Sequence, residues 1–399
     1  MKQKTPLLII GLALIVGFCL FSLGCNEQIK VSAIETTSST IKSDNPVLKV
    51  FIENSGSMDG YMCDGSQLKD AIFDYVSDLN RYTHKTELFY INSQIIPYQG
   101  NITSYIKTLN PASFQQAGGN RSNTDLGEII DQVLQTVNDT TVSIFVSDCI
   151  LDLPASDSKR FLTNCQILIK SAVINTQKRV PDLGVEILKL SSDFNGKYFY
   201  QDNSYEILTD VKRPYYIWIF GNKNYLAKLN SEVPLSLLDN YGLEGIVAFS
   251  NQSAVPFEIS SQGTGQTITA NNGKYNVRIK ADMRTTLQPD AAVTDYSNYS
   301  FNSSAIKISN IKPIVDKHSN FTHYIDFSIP SNTHIVQENL IFNTPEIPSW
   351  VGASNDITGK EITQNLEKTT GIQSLIQGVA DAYKGETTAS KMKFNVKKK

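Results

Sequence analysis

Histidine and cysteine are scarce in this chain, with four His and five Cys in 399 residues. His84, His318, His323 and His334 never fall at zinc-ligand spacing, so a histidine-built zinc site is excluded. No Gly-x-Ser-x-Gly turn occurs, which removes the usual nucleophile elbow of a serine hydrolase. The stretch "GTGQT", residues 263–267, lacks the lysine of a phosphate-binding loop and reads as a hairpin turn. A basic excess is missing too. The net charge is −3, from 36 Lys and Arg against 39 Asp and Glu, so no field that would gather nucleic acid follows. Internal repeats and long low-complexity tracts are absent. These absences argue against an enzyme and against a nucleic-acid binder.

What is present begins with a leader. Lys2 and Lys4 precede the apolar run "PLLIIGLALIVGFCLFSLG", which stops at Cys25. A charged start, an apolar middle and a small residue before the cut describe an export signal. With Cys directly after Ser22-Leu23-Gly24, the segment resembles a bacterial lipoprotein signal. That resemblance implies removal of residues 1–24 and lipidation of Cys25. An uncleaved anchor is the other reading, since a membrane span needs roughly 18–20 apolar residues. Either way the remainder is expected in the bacterial cell envelope, outside the cytoplasm and held at a membrane. Residues 25–46 are polar and poor in aromatics, and read as a tether. Three cysteines remain, Cys63, Cys149 and Cys165, which allows one disulfide at most.

From 47 to 238 apolar strands alternate with amphipathic helices. "LKVFIE", "TELFYIN", "TVSIFVSD", "GVEILKLSS" and "YYIWIFG" are strand-like. "SQLKDAIFDYVSDLNRY" and "DLGEIIDQVLQTV" carry apolar residues at helical spacing. This alternation predicts an α/β domain, a mostly parallel sheet with helices on both faces. Residues 239–360 are short, β-rich segments broken by Gly, Asn, Ser and Pro, and predict a smaller antiparallel β domain. A helix is expected within 361–385, and 386–399 reads as a basic, mobile tail.

The most informative stretch is "KVFIENSGSMDG". A strand runs into Glu53, and then hydroxyls stand at alternate positions, Ser55 and Ser57. Asp148 leaves the end of "SIFVSD", and Thr124 stands just before a helix. In an open α/β sheet, loops that leave the carboxyl ends of parallel strands meet at one edge. Two carboxylates and three hydroxyls supply only oxygen, the donor set of Mg²⁺ or Mn²⁺ rather than zinc.

These residues resemble the von Willebrand factor A domain, whose metal-ion-dependent adhesion site reads Asp-x-Ser-x-Ser, then Thr, then Asp. Here the match is Glu53-x-Ser55-x-Ser57, Thr124 and Asp148, with Glu in place of the first Asp. The resemblance implies a Rossmann-like fold for 47–238. It also implies that Ser55, Ser57 and Thr124 face the metal while Glu53 and Asp148 hold its waters. An acidic side chain of a protein partner would then complete the shell. The expected function is metal-dependent recruitment of a protein partner by a membrane-tethered protein. The competing expectation is an assembly scaffold in which the metal only stabilises the fold.

Overall fold

The computed structural model describes residues 27–34, 44–122, 125–154, 156–200, 204–251, 254–259, 265–316, 318–344, 346–360, 362–384 and 389–399. The leader at 1–24 and Cys25 lie outside the described residues. In chain order the strands are β1 (Gln28–Ala33), β2 (Val47–Glu53), β3 (Lys85–Ile91), β4 (Ile95–Tyr98), β5 (Thr141–Ser147), β6 (Leu183–Phe199), β7 (Tyr205–Asn222) and β8 (Leu243–Ser250). They continue with β9 (Phe257–Ile259), β10 (Gly265–Thr269), β11 (Lys274–Ala281), β12 (Tyr299–Phe301), β13 (Lys307–Pro313), β14 (His323–Pro330) and β15 (Gln337–Asn343). The short pair β16 (Asn355–Asp356) and β17 (Thr369–Thr370) precedes the last strand, β18 (Ala389–Lys398).

Seven strands form a mixed sheet in the order β4-β3-β2-β5-β7-β6-β8. Only β3, β2 and β5 are parallel neighbours. β4, β7 and β8 run antiparallel to the strands they pair with. The expected mostly parallel sheet is therefore corrected to a mixed α/β sheet. The physical reason is that unbroken apolarity reports burial on both faces and says nothing about direction. β5 is buried at every position, and the apolar half of β7 is buried equally. Yet β6 passes into β7 by a hairpin, and β7 slots between β5 and β6. Residues 243–250, read as the start of the second domain, are instead the edge strand β8 of this sheet.

Helices cover both faces. On one, Leu48, Val50 and Ile52 pack with Leu68, Ile72, Tyr75 and Leu79 of helix Gln67–Leu79. On the other, Phe51 and Phe145 pack with helices Leu126–Gln135, Ser158–Arg179 and Ile372–Ala382. The last of these is the C-terminal helix, whose apolar face settles on the α/β layer. Gly378 permits the contact, because a Cβ there would stand 2.6 Å from the Gln166 carbonyl oxygen.

One buried charge sits in the first of these cores. Glu186 of β6 is fully buried. Asn230 Nδ2 donates to its Oε1 at 2.6 Å, and its Oε2 has no partner among the described residues. Burial pushes its pKa up to about 7, against a smaller downward pull from Asn230. Because the folded value exceeds the unfolded one, this group's contribution to stability is whole below about pH 4.5 and is lost as pH rises through 7. Glu186→Gln is therefore expected to match the wild type at pH 4. At pH 8 it should be more stable by roughly 2–3 kcal/mol, read as the difference between two urea titrations.

The second domain is a sandwich of two antiparallel sheets, β10-β1-β18-β15-β12 and β13-β14-β11-β9. Ile29, Val31, Val277, Ile279, Ile325, Phe327, Leu340, Phe342, Met392, Phe394 and Val396 form its core. Strict alternation of buried and half-exposed positions in β14 is what a one-sided strand requires. Two expectations are corrected here. Part of the proposed tether at 25–46 is strand β1, paired with β10 and β18. Most of the proposed mobile tail at 386–399 is β18, which lies between β1 and β15. "SKMKFNVKK" alternates polar and apolar residues, and Met392, Phe394 and Val396 point inward. The α/β domain thus enters the chain between the first strand of the sandwich and the rest.

Candidate metal centre

β2 and β5 are parallel neighbours, so their carboxyl ends open at one edge. The register sets Ile52 opposite Val146, which brings Glu53 level with Ser147. The Ser147 hydroxyl donates to the Glu53 carboxylate. Immediately beyond Asp148, Cys149 takes a left-handed φ of 54°, a conformation that costs about 1–2 kcal/mol in a residue with a Cβ. Its N–H donates to Ser147 Oγ at 2.8 Å and its Sγ accepts from Trp218 Nε1 at 3.3 Å. These bonds hold the turn that carries Asp148. Cys63, Cys149 and Cys165 are all free thiols.

The first loop is pinned from two sides. Asn92 Nδ2 donates to Asn54 Oδ1 at 2.6 Å and to the Gly118 carbonyl at 2.8 Å. Arg121 donates from Nε to the Asn54 carbonyl at 2.7 Å and from Nη2 to the Ser55 carbonyl at 3.1 Å, and it pairs with the Asp59 carboxylate. In return, Gly56 N–H donates to the Arg121 carbonyl at 3.3 Å. The segment before helix Leu126–Gln135 is thereby fastened to the Glu53–Ser57 loop. Asp125 caps that helix, accepting from Gly127 N–H at 2.9 Å and Glu128 N–H at 3.2 Å. Thr124, the fifth proposed ligand, lies outside the described residues.

The other four proposed residues are brought together. Ser55 and Ser57 hydroxyls stand 3.0 Å apart. Glu53 and Asp148 are each 2% exposed. Burial raises the Glu53 pKa to about 8, helped by the Asp148 charge and opposed by the Ser147 and Ser55 hydroxyls. Burial also raises Asp148, against the Ser57 hydroxyl, the Ile150 N–H and the Arg213 guanidinium, which pull it down. Asp148 Oδ2 is buried and has no hydrogen-bond partner among the described residues.

That orphaned oxygen tests the fit of a metal. A buried acceptor without a donor costs about 1–3 kcal/mol, more when charged. Two adjacent buried carboxylates repel as well. A divalent cation held by these groups would relieve both costs, and an all-oxygen set with neutral hydroxyls suits Mg²⁺ or Mn²⁺. No cluster of three or more His, Cys, Asp or Glu side chains is found among the described residues, so the site depends on its hydroxyls. A bound cation would supply a positive charge with coordination places left for water or a partner's carboxylate.

A cleft of about 520 Å³ opens over Glu53, Ser55 and Ser57. Its far wall is the distal part of the β6–β7 hairpin, Lys197 to Tyr200, with Leu151 and Thr370 beside it. The hairpin lies close because Gly196 faces Gly60, where a Cβ on Gly196 would stand 2.6 Å from the Gly60 Cα. Four contributors were not singled out in the sequence. Ser147 was detectable only as the neighbour of Asp148. Arg121 and the hairpin carry no local signal. Arg213 is 1% exposed, donates to the Leu366 and Lys368 carbonyls at 3.0 and 3.3 Å, and lies over the Tyr198 ring. It follows Lys212 at the border of an apolar strand, and nothing local marks it out from its neighbour.

No protein-family model, curated protein or solved structure matches this chain.

Proposed function

We propose that this is a membrane-tethered extracytoplasmic binding protein that recruits a protein partner through a divalent ion. Glu53, Ser55, Ser57 and Asp148 hold the ion, with Thr124 as the expected fifth contributor. An acidic side chain of the partner completes its shell. The buried Asp148 Oδ2, without a partner among the described residues, and the Ser55 and Ser57 hydroxyls that line an open cleft carry this reading. Lys197 lines the same cleft and favours an approaching carboxylate, while the Arg121 charge there is balanced by Asp59.

The domain is read as a variant of the von Willebrand factor A architecture. The parallel trio β3-β2-β5, the antiparallel edge β4 and the two helical layers support that reading. β7, inserted antiparallel beside β5, departs from a mostly parallel sheet. Glu53 in place of Asp is accommodated because its longer side chain reaches the Ser147 hydroxyl on the neighbouring strand.

The test is capture of a partner from detergent-solubilised envelope. Capture is expected to vanish with EDTA, return with Mg²⁺, and fall at least tenfold in Ser57→Ala. Capture that survives both chelator and Ser57→Ala overturns the proposal. A melting temperature that responds to Mg²⁺ while capture does not would assign the ion to fold stability alone.

A further inference from the structure

The two sheets of the sandwich treat charge differently. On the sheet containing β11 and β14, carboxylates stand among the cations: Arg278 Nε lies 2.6 Å from Asp326 Oδ1 and Lys280 Nζ lies 3.1 Å from Glu258 Oε1, while Lys274, Lys307 and Lys312 are in no ion pair among the described residues. The outer face of the sheet β10-β1-β18-β15-β12 has only one sign. Strand alternation places Lys30, Lys391, Lys393 and Lys397 on it, because their neighbours Ile29, Val31, Met392, Phe394 and Val396 fill the core. Lys30 stands directly opposite Lys397. Lys398 and Lys399 extend the same edge, where Lys399 N–H donates to the Gln28 carbonyl at 3.0 Å.

The single carboxylate of these five strands, Glu338, points inward. It is 1% exposed and accepts from the Asn302, Ser303 and Asn339 N–H groups at 2.8, 3.1 and 2.9 Å. None of the six lysines is in an ion pair among the described residues. In a chain of net charge −3, an acid-free lysine face is a segregated feature. Its location selects a ligand. β1 starts at Gln28, three residues after Cys25, and the apolar run of residues 6–24 precedes that cysteine. The chain therefore enters the fold from its hydrophobic segment at the corner of the cationic face.

We propose that this face lies on a membrane surface and binds anionic lipid head groups, as a second attachment signal beside the N-terminal one. A single acyl chain holds weakly, and a basic patch next to it adds strength. Each lysine near an anionic surface contributes about fivefold in affinity. The inference rests on the membrane-tethered reading for how the face reaches the bilayer. It is independent of the metal.

The full-length protein is mixed with vesicles of phosphatidylcholine alone and with vesicles containing phosphatidylglycerol, and the ratio of the two partition coefficients is measured. The wild type is expected to favour the anionic vesicles at least tenfold, and the preference should collapse in about 0.5 M salt. Lys30→Gln, Lys391→Gln, Lys393→Gln and Lys397→Gln combined should bring the ratio near one. Lys307→Gln with Lys312→Gln, on the opposite sheet, should leave it unchanged. Partition into neutral vesicles with no anionic preference overturns this inference and leaves the anchor standing. A lysine-dependent preference without neutral partition overturns the anchor and leaves the face. Binding to soluble polyphosphate with no preference among vesicles also overturns the inference, in favour of an anionic polymer.

Discussion

Addition of Mg²⁺ or Mn²⁺ to the chelator-treated protein is expected to raise its melting temperature, and Asp148→Asn is expected to abolish the rise. A cation at a hundredfold excess over its Kd stabilises the folded state by about 2.7 kcal/mol, which amounts to about 5–10 °C in a domain of this size. Asp148 is the choice of variant because its Oδ2 is a buried oxygen of this site without a partner among the described residues. An amide there keeps the volume but removes the charge that would face the ion. Metal affinity should fall at least a hundredfold, and the variant's melting temperature should move by less than about 1 °C with metal. Ser55→Ala and Ser57→Ala should each give a smaller loss, since each removes one neutral donor. A variant at Asp148 that responds to metal like the wild type would remove this site from the ion, wherever the ion then binds.

Removal of residues 389–399 is expected to unfold the sandwich. β18 pairs with β15 over seven residues, Ala389–Asn395, and with β1 over five, so the deletion leaves two unpaired edges and strips three side chains from the core. Phe394 is fully buried and packs against Phe327 at 5.4 Å between ring centroids. Phe394→Ala alone should cost about 3–5 kcal/mol. Lys393→Ala, one residue away on the outer face, should cost less than about 0.5 kcal/mol. Urea titration of both variants checks the contrast. Equal, small effects would mean that the terminal segment is not a core strand.

The unequal legibility of the two chain ends has a specific cause. β18 carries a clear two-residue period, yet its lysine content suggests a solvated tail. The period was the better guide, because a lysine on the outer face of a one-sided strand costs little. β1 offers only Ile29 and Val31 as inward residues, too few to specify a strand without its partners. The β6–β7 hairpin escaped for another reason. Its distal half, residues 193–214, is polar and contains Asn195-Gly196, a turn-like pair. The strand pairing continues past it to Phe199 and Tyr205, and the irregular pairing between Phe194 and Gly196 absorbs the pair instead.

The sequence by itself determined the local elements and the oxygen donors that leave two strand ends. Apolar spacing sets helices such as Leu126–Gln135, and the side-chain chemistry of Glu53, Ser55, Ser57, Thr124 and Asp148 is the basis on which a hard cation is proposed. Only the tertiary structure decided the direction of β7, the return of β18 beside β1, the buried Arg213 under Asp148, and the hairpin wall over the cleft. Each of these depends on pairing between residues far apart in the chain. Local propensity and period fix which face a strand buries, while the choice of neighbour is settled by whichever distant segment completes the shared core.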